Sequence, residues 1–196
     1  GISDATTVPV EFTVADYNWR AELPGEGHSS PVVWGKHVYV TAVNAAAEGR
    51  RTVLCFHADS GELLWRVDVP FDEHNLNKAN NFASSTPACD ARGVYLTWGS
   101  GQRSLASGFS HDGKLLWERS WEGFTSDHGS AASPIVDDGR LILHTDSKDE
   151  GRSQVRALDT ATGADVWQHE RVTAEGEKHL TVYSTPLILE HGGRKV

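Results

Sequence analysis

Cys55-Phe-His-Ala-Asp-Ser-Gly-Glu-Leu-Leu-Trp65, Ser107-Gly-Phe-Ser-His-Asp-Gly-Lys-Leu-Leu-Trp117 and Ala157-Leu-Asp-Thr-Ala-Thr-Gly-Ala-Asp-Val-Trp167 align without gaps. Each opens on a small residue, reaches Gly61, Gly113 or Gly163 six positions later, and ends on Trp65, Trp117 or Trp167 four positions after that. The tryptophans recur at spacings of 52 and 50. A second landmark keeps similar time: Ser30-Pro31, Thr86-Pro87, Ser133-Pro134 and Thr185-Pro186 each open a short apolar run, at spacings of 56, 47 and 52. A repeat of this length built only from short apolar runs and turn residues points to stacked sheets, each unable to bury its faces alone.

Every unit divides into four strands. In the first, Ser30–Trp34 is A, His37–Thr41 is B, Thr52–His57 is C and Glu62–Val67 is D, with Gly35-Lys36 and Asp59-Ser-Gly61 as turns. Ala91-Arg-Gly93, His111-Asp-Gly113, Asp137-Asp-Gly139 and Thr160-Ala-Thr-Gly163 do the same work in the next two. Glycine, aspartate and asparagine supply the positive φ that tight hairpins need. No helical periodicity is sustained over eleven residues. The fold class is therefore all-β, a partial β-propeller of four-stranded antiparallel blades over about 29–68, 84–120 and 132–168, with a partial blade from 184. Residues 1–16 form a lead-in, with Val8–Val14 an extra strand, and 17–196 form a single propeller unit. Trp19-Arg-Ala-Glu parallels Trp65-Arg-Val-Asp, so Tyr17–Leu23 is expected to be an orphan D strand. At the other end Thr185–Glu190 reads as an A strand and Gly192-Gly193 as its turn.

The small–Gly–Trp pattern resembles the tryptophan-docking motif of the PQQ-repeat, quinoprotein-like propellers. The resemblance implies that each indole stacks on the glycine region and small residue of neighbouring blades, where a large flat ring needs a partner without bulk. It assigns structural docking to Cys55, Gly61, Trp65, Ser107, Gly113, Trp117, Ala157, Gly163 and Trp167. It also implies a fragment of an eight-bladed ring about twice this length, with the orphan D strand closing the last blade, and open sheet edges through which the fragment self-associates. The chain is similar to secreted bacterial PQQ-like propellers, which implies a secreted or periplasmic location.

Composition narrows the function. With 18 Lys+Arg against 27 Asp+Glu, the net charge of −9 repels phosphate backbones, so no nucleic acid is expected as a partner. No apolar run approaches the ~18 residues of a membrane span, so no membrane insertion is expected. The sequence begins with Gly1 and contains no methionine, which reads as a trimmed N-terminus. Cys55 and Cys89, 34 apart, match neither a disulfide framework nor a metal knuckle and read as small core residues.

The D–A and B–C loops should share one face and carry whatever site there is, being the longer and more varied. The B–C loops are expected over about Ala42–Arg51, Gly99–Ser104 and Asp146–Ser153. Polar residues gather just before the A strands: His28, Asn80, Asn81, Asp127, His128, His179 and Tyr183. Ringing the channel mouth, they are the ligand-binding candidates, suited to a metal, a sugar or a small anion; the partner expected of the chain as a whole is a protein or a carbohydrate. The competing reading has them hydrogen-bonding loop amides at strand starts. Asp146-Ser-Lys-Asp149-Glu-Gly151 has the wrong carboxylate spacing for a calcium loop. Asp127, His128 and Ser130 are sequence neighbours without a nucleophile elbow. The expected catalytic set and metal set are therefore empty. The expectation is a noncatalytic binding or scaffold module. The alternative is part of a dehydrogenase using PQQ and calcium on alcohols or sugars, with those cofactors held only by the full-length protein; the vicinal cysteine pair common in such enzymes does not occur in this sequence.

Overall fold

The computed structural model describes residues 6, 9–43, 49–124, 126, 128–147, 153–171 and 182–195. Three four-stranded antiparallel sheets follow one another along the chain. The first contains β1 (Val32–Trp34), β2 (His37–Val43), β3 (Arg50–His57) and β4 (Leu63–Pro70). The second contains β5 (Ala88–Cys89), β6 (Gly93–Ser100), β7 (Arg103–Ser110) and β8 (Leu115–Glu122). The third contains β9 (Ile135–Asp137), β10 (Arg140–Thr145), β11 (Gln154–Asp159) and β12 (Asp165–Glu170), and a two-stranded start, β13 (Glu190–His191) with β14 (Arg194–Lys195), comes next. Strand order within each sheet equals chain order, and the innermost strands β1, β5 and β9 neighbour one another. This is an open arc of propeller blades. Among the described residues there is no α-helix, hence none long and apolar enough to cross a membrane.

Alternation along the strands explains the packing. Tyr39, Val53 and Cys55 point from the first blade into a core shared with Val94, Leu96, Trp98, Leu105 and Phe109 of the second. The opposite side of the second blade, Tyr95, Ala106 and Trp117, meets Leu141, Leu143 and Leu158 of the third. A middle strand such as β6 is consequently buried at every position, whereas the outer β4, β8 and β12 are largely exposed. Turn chemistry follows the sequence: Asp138 (φ 48°) and Gly139 (φ 70°) form the two-residue turn between β9 and β10.

The blades are joined through the tryptophans. A Cβ placed on Gly61 would stand 2.6 Å from the indole of Trp19, one on Gly113 2.9 Å from Trp65, and one on Gly163 2.7 Å from Trp117. Each indole also donates its Nε1–H to a carbonyl of the same turn: Trp19 to Ala58 at 2.7 Å, Trp65 to His111 at 2.8 Å, Trp117 to Thr160 at 2.9 Å. Trp65 and Trp117 thus lie on the C–D turn of the following blade, and Trp19 lies on that of the first. Farther along β8, Trp121 lies 5.5 Å from the Arg119 guanidinium and 5.1 Å from that of Arg156, while Asp165 holds both arginines at 2.7 and 3.2 Å.

Four expectations need correction. Tyr17–Leu23 forms no ladder: it keeps the tryptophan contact of a D strand without the strand pairing, because no C strand lies beside it among the described residues. Val8–Val14 is not a strand either; its described part is irregular until a 3₁₀ turn at Val14–Asp16. The expected loop at Gly99–Ser104 is a two-residue hairpin at Gly101-Gln102, since β6 and β7 pair out to Ser100 and Arg103. In the second blade the residue opposite Trp117 is Gly108, not Ser107, which pairs with Glu118. Cys55 faces Trp65 and Ala157 faces Trp167 in the other two blades. The cause is a turn one residue shorter: Ser110 N–H bonds Lys114 O, where His57 reaches Glu62 and Asp159 reaches Ala164.

Candidate functional site

The wall of the central channel is built from the strand-opening Ser/Thr-Pro steps. Ser30, Pro31, Val32, Thr86, Pro87, Ala88, Ser133, Pro134 and Ile135 line a groove of about 800 Å³. Its hydroxyls are engaged between blades: Thr86 Oγ1 accepts from Ser30 N–H at 3.0 Å, and Ser133 Oγ accepts from Thr86 N–H at 2.9 Å. Proline follows each because the chain needs no further donor there. The serine–proline rhythm is thus a hydrogen-bonded staircase from blade to blade.

At the mouth, Asn80, His128 and Tyr183 come together. Asn80 Nδ2 donates to His128 O at 2.7 Å, and its Oδ1 accepts from Asn81 N–H at 2.8 Å and from the Ser84 hydroxyl. Asn81 is buried and caps Ala83 N–H at 2.9 Å. His128 pairs through Nδ1 with Asn77 Nδ2 at 3.4 Å, and its N–H donates to Ser126 Oγ at 3.2 Å. Ser126 Oγ lies 3.3 Å from Tyr183 OH, and the His128 and Tyr183 rings are 6.0 Å apart. His28 is exposed and joins this group only through its N–H to Ala83 O at 3.1 Å. Asp127 and His179 lie outside the described residues, as does most of the 146–151 segment.

Two further groups carry perturbed protonation. Asp146 accepts from Arg171 at 2.9 Å and from Val182 N–H at 2.9 Å; burial raises its carboxyl to about 6 against the pull of these partners. His74 sits edge-on to Phe82 (5.0 Å) and Phe124 (5.2 Å), and burial, with the Arg51 charge nearby, pushes its imidazole down to about 4. It lines a cleft of about 580 Å³ with Glu73, Asn75, Gln102, Phe124 and Ser126. The only sequence signal for Arg51 was its parity: on β3 it alternates with Val53 and Cys55 and so faces inward. His74 and Asp146 left no such signal.

A PQQ family model described as "Outer membrane protein assembly factor BamB" matches residues 49–195. The chain belongs to this PQQ-repeat family. No curated protein matches it. Among solved structures it is similar to a europium-containing methanol dehydrogenase, at 18% identity and a TM-score of 0.53, covering 78% of this chain and 26% of that one. It is also similar to the quinohemoprotein alcohol dehydrogenase of Comamonas testosteroni (20%, TM-score 0.52, 76% and 22% covered) and to ADHIIG of Pseudomonas putida HK5 (19%, 0.55, 82% and 24%). The chain spans about a quarter of the length of these enzymes, and at such identities the likeness is one of fold.

The described mouth residues do not fit a calcium–quinone site. The Oδ1 atoms of Asn80 and Asn81 already accept from neighbouring groups, and both oxygens of Asp146 are occupied by Arg171 and Val182. Among the described residues no three His, Cys, Asp or Glu side chains converge as metal ligands. What the described bonds do is hold loops: Asn80 ties its loop to His128 O, and Asn81 Oδ1 accepts from Ala83 N–H, while Asn81 Nδ2 is buried without a partner among the described residues.

Proposed function

We propose that this chain is part of a binding or scaffold propeller that engages a protein partner in the periplasm or outside the cell. The observation that carries the reading is an apolar pair repeated at the outer rim of successive blades. Leu63 and Leu64 begin β4 at 48% and 42% exposed, and Leu115 and Leu116 begin β8 at 57% and 44%. Val166 on β12 continues the series. Isolated exposed leucines carry no message, but a pair on each of two successive blades, with a valine on the third, offers an apolar surface suited to another protein. The engagement of both amide atoms of Asn80 in loop structure supports the same reading.

The test replaces Leu64 and Leu116 by photo-crosslinking residues in the full-length protein in its native cell. A discrete cross-linked protein at both positions, lost when Leu63 and Leu115 are changed to Glu, supports the proposal. Absence of a cross-link, together with saturable PQQ binding in calcium, replaces it with a quinoprotein dehydrogenase.

A further inference from the structure

Arg51 is fully buried between the first two blades. It lies between Val43 of β2 and Val69 of β4 in register, and its side chain points toward the second blade. The guanidinium is sandwiched between two rings, 4.3 Å from the centre of Phe71 and 4.8 Å from that of Trp98. Nη2 donates to Gly99 O. Among the described residues Nε and Nη1 have no partner, and no ion pair joins Arg51 to a carboxylate. The Nε1–H of Trp98, one of the two stacked rings, is buried and unpartnered as well, and so is the hydroxyl of Thr41, one rung along the same face of β2.

The imbalance has a direction. Guanidinium and indole N–H groups can only donate, so among the described residues the buried junction holds a surplus of donors and a positive charge with no carboxylate paired to it. Burial pulls the guanidinium down to about 9, which still leaves it charged at neutral pH. Aromatic faces stabilise a cation but satisfy none of its in-plane N–H bonds. A buried charge without a counter-charge is among the costliest features a fold carries. What the junction lacks among the described residues is an acceptor bearing negative charge. The open 580 Å³ cleft on the loop face is lined by His74, whose protonation the Arg51 charge disfavours, and by Phe124, which His74 meets edge-on.

We propose that Arg51 and Trp98 form a buried site for one small monovalent inorganic anion, of the halide or nitrate class, reached from the cleft past His74. Bound there, the anion accepts from Arg51 of the first blade and Trp98 of the second and ties the two together. The proposal is independent of the partner-binding role argued above.

Thermal unfolding at constant ionic strength tests it, with chloride, bromide or nitrate replacing bulky gluconate. The expected result is a saturable rise in Tm with the small anions, following the dependence of stability on ligand concentration over Kd. Arg51→Met should abolish the rise. Should that variant fail to fold, Trp98→Phe keeps the ring over the guanidinium, removes one donor, and should weaken the apparent affinity about tenfold. A bromide-soaked crystal should show an anomalous peak within hydrogen-bond distance of Arg51. Equal Tm in gluconate and chloride, an anion effect undiminished in both variants, or no peak at Arg51 would each overturn the proposal.

Discussion

Adding one methyl group at Gly163 measures how tightly the second and third blades are locked. Gly163 has φ 69°, and a Cβ there would stand 2.7 Å from the Trp117 indole. Gly35 has a similar φ of 56° but nothing within 4 Å of a Cβ. Gly35→Ala therefore reports the cost of left-handed backbone alone, roughly 1–2 kcal/mol. Gly163→Ala carries the same cost plus overpacking, which adds about 1–3 kcal/mol where neighbours cannot withdraw. Trp117 cannot withdraw: it is buried, its Nε1–H is fixed to Thr160 O, and its other face meets Gly108, where a Cβ would stand 2.7 Å away. Urea unfolding followed by tryptophan fluorescence should give a lower midpoint for Gly163→Ala than for Gly35→Ala at unchanged slope. Repeating Gly163→Ala in a Trp117→Leu background should recover at least ~1 kcal/mol of the difference, as expected for residues in contact. Equal effects at Gly35 and Gly163, or strict additivity with Trp117→Leu, would refute the interlocking geometry.

Other perturbations follow from the same coordinates. His74, neutral and depressed to about 4 in the folded chain, should cost stability as pH falls from about 6.5 to 4, because the unfolded chain binds its proton first. The full shift is worth about 3 kcal/mol; discounted for partial solvent screening, ~1–2 kcal/mol should separate the pH–stability curves of the parent and His74→Phe. Asp146, raised to about 6, acts with the opposite sign, so in Asp146→Asn the acid-side loss should be steeper than in the parent. Thr86→Val removes the hydroxyl that accepts from Ser30 N–H and should cost about 0.5–1.5 kcal/mol in urea. Asp165→Asn leaves Arg119 and Arg156 without their shared carboxylate and should cost about 1 kcal/mol at low salt, shrinking as salt is raised.

The fold was legible because the features that build blades are local. A Gly-containing turn and a tryptophan four residues later fix a hairpin and its outer strand, and four Ser/Thr-Pro steps mark where each inner strand begins. What failed was register. Gapless alignment gave Ser107 the place of Cys55 and Ala157, but a turn shorter by one residue puts Gly108 opposite Trp117, and in a strand one residue reverses the face. Tyr17–Leu23 carried the right tryptophan, yet strand pairing depends on a neighbour that local sequence does not specify. The candidate site was only half legible. Proximity to A strands pointed to Asn80, His128 and Tyr183, which the structure brings close together, but not to what they bond, since a side chain at a strand start serves a ligand or an amide with the same composition. Trp98 and His74 lie 47 and 23 residues from Arg51 along the chain, and only the packing of one blade on the next brings the three together.

Hydrogen exchange at the indole N–H groups tests the central claim most directly, because it reads each junction through one proton. Trp19, Trp65 and Trp117 donate to Ala58, His111 and Thr160, whereas Trp167 makes no such bond among the described residues. Indole-resolved NMR exchange should find Trp65 and Trp117 strongly protected, Trp117 most of all because it is also buried. Trp65 and Trp117 exchanging as quickly as a solvent-exposed indole would contradict the account of blades locked by tryptophan on glycine.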